Sequence, residues 1–233
     1  MDKMKVIISS AIVAVGIVVL GFCIKAGLNS FAQNQRVVVV KGLAEREVKA
    51  NNAIWPIVFK ELGDDLPGLY DRVNAKNLIV KKFLKDSGIT DAEISSNVVV
   101  TDLQADSYSS ERTPYRYRIN SVVTVNTTKV DTVLKLIEDQ STLIKQGVAI
   151  SFDYSVSTQF NFTDLNKVKP EMIKEATQNA RSAAQQFAAD SDSKLGKIKG
   201  ASQGQFTIED RDQNTPYIKN VRVVTTIQYM LED

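Results

Sequence analysis

Asp210-x-Asp212-x-Asn214 begins as a calcium loop begins, with oxygen-bearing side chains on alternate residues. Such a loop needs glycine at its sixth position for the sharp turn and an acid at its twelfth to complete the coordination. Thr215 and Val221 stand there instead, so the segment reads as a solvated turn. Glu45, Arg46, Glu47 and Lys49 alternate in sign, as on a strand salted with charge to discourage edge pairing. The competing reading is a substrate-binding cluster, since charged residues on loops sometimes mark sites. Tyr108, Arg112, Tyr115, Arg116, Tyr117 and Arg118 form an aromatic and cationic cluster. Tyr and Arg are the residue types favoured at protein interfaces, and this cluster is the candidate interface. Strand alternation would set Tyr115 and Tyr117 on one face and Arg116 and Arg118 on the other.

Other chemistries are excluded by residue type. The chain has no histidine, and Cys23 is its one cysteine. A Ser-His-Asp triad and a Cys/His zinc site are therefore impossible, and beyond Cys23 there is no thiol nucleophile or disulfide. No glycine-rich phosphate loop occurs, and no pair of carboxylates has a spacing that demands acid–base work. Asn126-Thr127-Thr128 and Asn161-Phe162-Thr163 match the glycosylation sequon, a weak signal by itself. No residue is assigned to catalysis, to a cofactor or to a metal.

The elements that must position these residues follow from pattern. Arg36–Gly42 and Ala53–Phe59 are β-branched runs and read as strands, with Pro56 pushing the second towards an edge or a bulge. A helix is predicted from Leu66 to Ser87. Pro67 lies in its first turn, Leu69, Val73, Val80 and Leu84 form one face, and Gly88 stops it. Strands are predicted at Glu93–Leu103 and Arg116–Val125, joined by a polar tip. A helix over Lys129–Lys145, a partly alternating stretch from Val148 to Phe160, and a long helix over Leu165–Ala189 come next. Strands near Ile198–Ile208 and Val221–Tyr229 close the chain. Thr113-Pro114-Tyr115 and Thr215-Pro216-Tyr217 open strands in the same register, with Val122 aligned to Val224 and Thr124 to Thr226. This predicts two β-α-β-β halves with the Lys129 helix between them.

Val6 to Ile24 is a run of nineteen residues without charge or proline. As a helix it would rise roughly 28 Å, about the thickness of a bilayer's hydrocarbon core. Lys3 and Lys5 precede it and favour a cytoplasmic N-terminus. The rival reading is a cleaved signal peptide with Ser30-Phe31-Ala32 before Gln33 as its cleavage site, but the apolar run exceeds the usual signal core. Leu20-Gly21-Phe22-Cys23 lacks the small residue before cysteine that lipidation requires. Residues 1–32 hold three basic residues and one acidic residue. Of the chain's 29 basic and 27 acidic residues, the remainder therefore carries 26 of each. No basic excess remains there to drive nucleic-acid binding.

Ala176, Ala180, Ala184 and Ala188 recur every fourth residue, and small residues at that spacing let a helix lie close on its neighbour. The string from Ala176 to Ala188, followed by Lys194-Leu195-Gly196-Lys197-Ile198, resembles the C-terminal signature of the SIMPL-domain family. Val40-Lys41-Gly42-Leu43-Ala44-Glu45 resembles that family's opening strand. Ala53-Ile54-Trp55 resembles its second strand, and Leu84-Lys85-Asp86-Ser87-Gly88-Ile89 with Glu93-Ile94 resembles the end of its first helix. The resemblance covers about residues 36–231 and implies an exported or envelope-anchored α+β domain without an established activity. The family includes periplasmic immunogenic proteins and members linked to oxidative-stress tolerance, and it supplies no catalytic residues.

The expectation is thus a signal anchor or signal peptide over 1–32 and a SIMPL-like α+β domain over 33–233, with helices packed on mixed or antiparallel sheet. The chain is expected in the cytoplasmic membrane through residues 6–24 with its domain on the periplasmic side, or, if cleaved, in the periplasm. A non-enzymatic scaffold that assembles with itself is the expected function, with no cofactor and no nucleic acid. Two other classes stay open. A histidine-free hydrolase or antioxidant enzyme would need a pocket with converging carboxylates. A small-ligand or peptide-binding module would show an apolar cleft between the halves.

Overall fold

The computed structural model describes residues 2–33, 36–105, 114–151 and 156–232, and within 2–33 the side chains of Ile7 and residues 13–27. Helix α1 spans Asp2–Gln33. The strands β1 (Val37–Lys49) and β2 (Asn52–Gly63) lead to helix α2 (Leu66–Asp86), a short 3-10 turn at Asp91–Glu93, and strands β3 (Ile94–Asp102) and β4 (Tyr117–Thr127). Then come α3 (Val130–Glu138), α4 (Ser141–Lys145), β5 (Gln159–Asn161), α5 (Leu165–Asp190), β6 (Lys194–Gln203), β7 (Thr207–Asp210) and β8 (Ile218–Glu232). The architecture is α+β, with two sheets among the described residues and antiparallel pairing of β2 with β4, β3 with β4 and β6 with β8. Among the described residues no helix is long and apolar enough to cross a membrane.

The chain divides into two units. One comprises Glu47–Leu165 and Ile208–Asn220, and its sheet has the order β3-β4-β2-β5. Helix α2 forms where the sequence predicts it. The Asp65 carboxylate accepts the Gly68 N–H at 3.2 Å, Pro67 needs no hydrogen bond in the first turn, and Gly88 at φ +87° ends the run. Its stripe of Leu69, Val73, Asn77, Val80 and Leu84 is buried against β2 and β4, where Trp55, Ile57, Phe59, Ile119, Val123 and Val125 face it. Asn77 is the polar member of that stripe, and its Oδ1 accepts the Ser121 hydroxyl at 2.8 Å inside the core.

Pro56 lies within β2 rather than on an edge strand. It pairs with Thr124 of β4 on one side, and on the other side the register with β5 stops at Ile54. The missing N–H therefore falls where no strand asks for it. The predicted Lys129–Lys145 helix is two helices, broken at Asp139 and Gln140. The Asp139 N–H still closes on Lys135, but the Thr142 and Leu143 N–H groups turn back to Asp139 and Gln140 in tighter i→i+3 bonds.

The second unit comprises Met1–Arg46, Asn166–Thr207 and Val221–Asp233, with sheet order β1-β8-β6 and β7 also paired to β8. Here α5 turns Met172, Ala176, Ala180, Ala184 and Ala188 inwards. Val40, Ile227 and Tyr229 pack on Ala180 and Ala184. Gly42 of β1 touches this helix backbone. A Cβ built there would stand 1.9 Å from the Ala176 carbonyl oxygen and 2.4 Å from the Ala180 nitrogen.

Each sheet has the same build in chain order: a first strand, a helix, a second strand, and a closing strand that lies between the other two. One sheet uses β2, α2, β3 and β4; the other uses β1, α5, β6 and β8. The predicted second half, however, took Val148–Phe160 as its first strand. That role belongs to β1, more than a hundred residues earlier, and the larger segment of the first unit, Glu47–Leu165, stands between β1 and α5 in the chain. Of the Val148–Phe160 stretch, residues 152–155 lie outside the described residues, Ile150 makes an isolated bridge to Phe59, and β5 begins at Gln159.

Gly42→Ala is expected to destabilise the protein by about 3 kcal/mol, the upper end for overpacking, because the obstruction is backbone and cannot rotate away. Gly200→Ala, whose nearest neighbour is the Gln228 Oε1 at 3.7 Å, should change stability by less than about 0.5 kcal/mol. Urea unfolding of the two variants beside the parent checks this; equal losses would contradict the close approach.

Candidate functional site

The candidate interface residues lie on the β3–β4 hairpin. Tyr108 and Arg112 fall outside the described residues. Tyr115 is exposed just before β4. The Arg116 N–H donates to Asp64 at 2.8 Å, its Nε donates to Asp102 at 3.1 Å, and its guanidinium lies 5.0 Å from the centre of the Tyr117 ring. Asp102 also accepts the backbone N–H groups of Gln104 and Ala105. Partial desolvation pushes the Asp102 carboxyl up, but the Ala105 N–H and the Arg116 side chain together outweigh it and hold the group below the ordinary carboxylate range.

Tyr117 is half-buried and packs against the core of its unit. Alternation along β4 turns Arg118 to the opposite face of the sheet, where its Nε is buried without a hydrogen-bond partner. The described members of the cluster are therefore not one surface. Arg116 braces the hairpin, Tyr117 belongs to packing, and Tyr115 is the exposed aromatic.

The alternating charges lie in the second half of β1 itself, and each meets a partner. Arg46 reaches Glu171 at 2.8 Å and Glu175 at 3.9 Å on α5, and Glu45 pairs with Arg222 at 3.5 Å. Glu47 pairs with Arg211 at 3.4 Å, and Lys49 pairs with Asp131. These are exposed pairs, each worth little to stability. In the calcium-like segment, Asp212 accepts the N–H groups of Asn214 and Thr215, the Thr215 hydroxyl and the Arg211 guanidinium. The Thr215 hydroxyl and then Arg211 contribute most to lowering its carboxyl to about 2. Asp210 is bound to Lys219. Both carboxylates thus serve the turn, and among the described residues no cluster of potential ligands could hold a metal.

Glu93 is a second heavily bonded carboxylate of this unit, and no candidate site read from the sequence includes it. It accepts the Thr127 hydroxyl, the Thr90 N–H and hydroxyl at 2.8 Å each, and the Lys129 ammonium at 3.1 Å. Lys129 in turn donates to the Gly88 carbonyl at 2.7 Å. One carboxylate so joins the end of α2, the 3-10 turn and the end of β4. The Thr127 hydroxyl is the largest cause, followed by the Thr90 N–H, of a carboxyl lowered to about 2. Thr90-x-x-Glu93 is a capping box, the sequence signal that would have found it.

Two recesses are open in this unit. One, of about 430 Å³, is walled by Trp55, Pro56, Ile57, Val58, Ile137 and Ile150 with uncharged polar residues, and among the described residues no ionisable side chain lines it. The other, of about 450 Å³, runs between α2 and β3. Tyr70, Asn74, Leu78 and Lys81 form one wall and Ser96, Asn97 and Val98 the other, with Leu78 68% exposed.

The family described as SIMPL, protein of unknown function (DUF541), matches residues 38–227. The chain belongs to the SIMPL family. No curated protein matches it. The SIMPL match begins at β1 and ends within β8, so it takes in strands of both units and leaves out α1.

Glu93 supplies a pH test for this SIMPL domain. Its folded carboxyl lies below the unfolded value, so its contribution is present above about pH 4.5 and is lost as pH falls towards about 2. Glu93→Gln is expected to cost about 2 kcal/mol at neutral pH, the range for hydrogen bonds to a charged group. The difference from the parent should vanish near pH 2. Denaturant unfolding across that range checks it; a pH-independent difference would contradict the assignment.

Proposed function

We propose that this chain is a single-pass envelope protein, anchored by α1 in the cytoplasmic membrane with its SIMPL domain on the outer side, and that the domain is a non-enzymatic scaffold that assembles with copies of itself. The observation that carries the anchor is the surface of α1. Val13, Val15, Ile17, Val18, Val19, Leu20, Phe22 and Ile24 are each more than half exposed on this helix. Such a surface is costly in water and favourable in hydrocarbon. Lys3 and Lys5, ahead of the uncharged run, favour the stated orientation.

The scaffold reading rests on where the carboxylates go. Asp102, Glu93 and Asp212, the groups with lowered carboxyls on the hairpin and its neighbouring turns, are each committed to side chains and backbone N–H groups of the fold. A general acid or nucleophile must instead have an atom turned to a reactant. The contact between copies is assigned to the hairpin side of the domain, with Tyr115 as its exposed aromatic.

Membrane fractionation followed by intact mass tests the anchor. Full-length mass in the membrane fraction is expected. A mass beginning near Gln33 in the soluble fraction overturns it in favour of a cleaved periplasmic protein. For the contact, Tyr115→Ala is expected to lower the oligomeric mass measured by light scattering, and an unchanged mass would remove Tyr115 from the interface.

A further inference from the structure

The outer edge of β3 differs from the other sheet edges of the described residues. Strand β1 carries Lys41, Glu45, Arg46, Glu47 and Lys49. Strand β6 carries Lys194, Lys197 and Lys199, and its register shifts on both sides of Ile198. Strands β5 and β7 are three and four residues long. Charge, bulges and shortness are the devices that prevent a sheet edge from pairing with another chain. Strand β3 has none of them. Ile94 to Thr101 is free of charge and proline, and its nine residues pair with β4 in unbroken register.

Its backbone orientation follows from one bond. The Leu103 N–H donates to the Arg116 carbonyl at 2.7 Å, which makes that couple a hydrogen-bonded pair of the ladder. Alternation then turns the N–H and C=O groups of Thr101, Val99, Asn97 and Ser95 inwards to β4. Those of Ile94, Ser96, Val98, Val100 and Asp102 point out from the sheet. The side chains of this outward set lie on the same face as Ile119, Ser121, Val123 and Val125, the face that α2 covers. The groove between α2 and β3 lies above that edge, with Leu78 68% and Tyr70 46% exposed along its lip. A strand added beside β3 would continue the floor of that groove.

We propose that the added strand is β3 of a second copy, joined antiparallel about a two-fold axis at Val98. This rests on the self-assembly reading above and names its surface. Val98 is the midpoint of β3, so a two-fold there pairs all nine residues. It sets Val98 against Val98 and Ser96 against Val100 on the α2 face, and Asn97 against Val99 on the other. No like charges meet, because the strand is neutral up to its last residue, Asp102. The outward N–H and C=O groups of each copy answer those of the other, and the partner's Val98 and Val100 pass beneath Leu78 and Tyr70. The two four-stranded sheets become one continuous sheet.

The register makes the test specific. Asn97 and Val99 are exposed, and across the two-fold they form non-hydrogen-bonded pairs, whose Cα atoms lie about 4.5 Å apart, within disulfide range. The full-length chain carrying Asn97→Cys with Val99→Cys, in a Cys23→Ser background, is oxidised in membranes or detergent. It is then run without reductant, beside light scattering of the parent. The expected result is an assembled parent and a band at twice the 25.8 kDa chain mass, much weaker in either single-cysteine variant. An assembled parent without that band overturns the β3 edge and leaves self-assembly standing on another surface. A cross-link to a different protein overturns the edge's assignment to a second copy. A parent that is monomeric throughout overturns self-assembly and the pairing together. Val98→Pro, which removes an outward N–H while sparing the β4 ladder, should reduce the oligomer to monomer with an unchanged circular dichroism spectrum. A retained oligomer would overturn the pairing.

Discussion

The unit built on β1, β6 and β8 depends on one contact, the approach of the β1 backbone at Gly42 to the backbone of α5. The helix face that meets it is Ala176, Ala180, Ala184 and Ala188, and Ala44 follows Gly42 on the same buried side of β1. Small residues on both elements bring the main chains together, and nothing larger fits between them. The Asn179 side chain caps the contact by donating to the Leu43 carbonyl at 2.8 Å. This gives a physical reading to two pieces of family signature far apart in the chain. The glycine and alanine of the opening strand and the every-fourth alanine of the long helix are two sides of one interface. Neither side is free to grow unless the other recedes.

The two units consequently hold together by different means. The core on α2 contains Trp55, Ile57, Phe59, Leu69, Leu84 and Ile119, side chains whose full burial contributes roughly 1.5–3 kcal/mol each. An alanine methyl contributes about a third to a half of that. The α5 interface therefore relies on fit and dispersion between close backbones more than on apolar area, and packing of that kind tolerates added volume poorly. With no disulfide open to the domain, as Cys23 is the one cysteine, neither unit has a covalent staple to compensate a lost contact.

Much of the domain was legible because its signals are local. Asp65, Pro67, the Leu69–Leu84 stripe and Gly88 define α2 within about twenty residues, and Leu165 begins α5 as expected. The alanine periodicity announced a close packing but not its partner, since Gly42 is separated from Ala176 by the Glu47–Leu165 segment of the other unit. The same distance hid the second half of the repeat. The matching turns at Tyr115 and Tyr217 are local signals, whereas the second half of the repeat is not contiguous in the chain. The break between α3 and α4 was missed because Val130, Val133, Leu136 and Leu143 keep apolar spacing through it. At the candidate site, residue type drew attention to the hairpin. It could not say that Tyr117 turns to the core and Arg118 away, nor that Glu93, three residues after an ordinary threonine, would collect a hydroxyl pair, an N–H and an ammonium.

The repeat also bears on what β3 is for. Strands β3 and β6 hold the same place in their halves: each follows the helix, and each pairs on one side with the closing strand. If the build required its second strand to be smooth and neutral, β6 would be so as well. Instead β6 has lysines at 194, 197 and 199 and two register shifts, while β3 keeps an unbroken ladder and no charge before Asp102. The fold therefore accepts either kind of edge, and the smoothness of β3 is not a demand of folding. An unprotected apolar edge is a standing aggregation hazard in any sheet protein. The devices that blunt such an edge are present on the equivalent strand β6 and absent from β3 before Asp102.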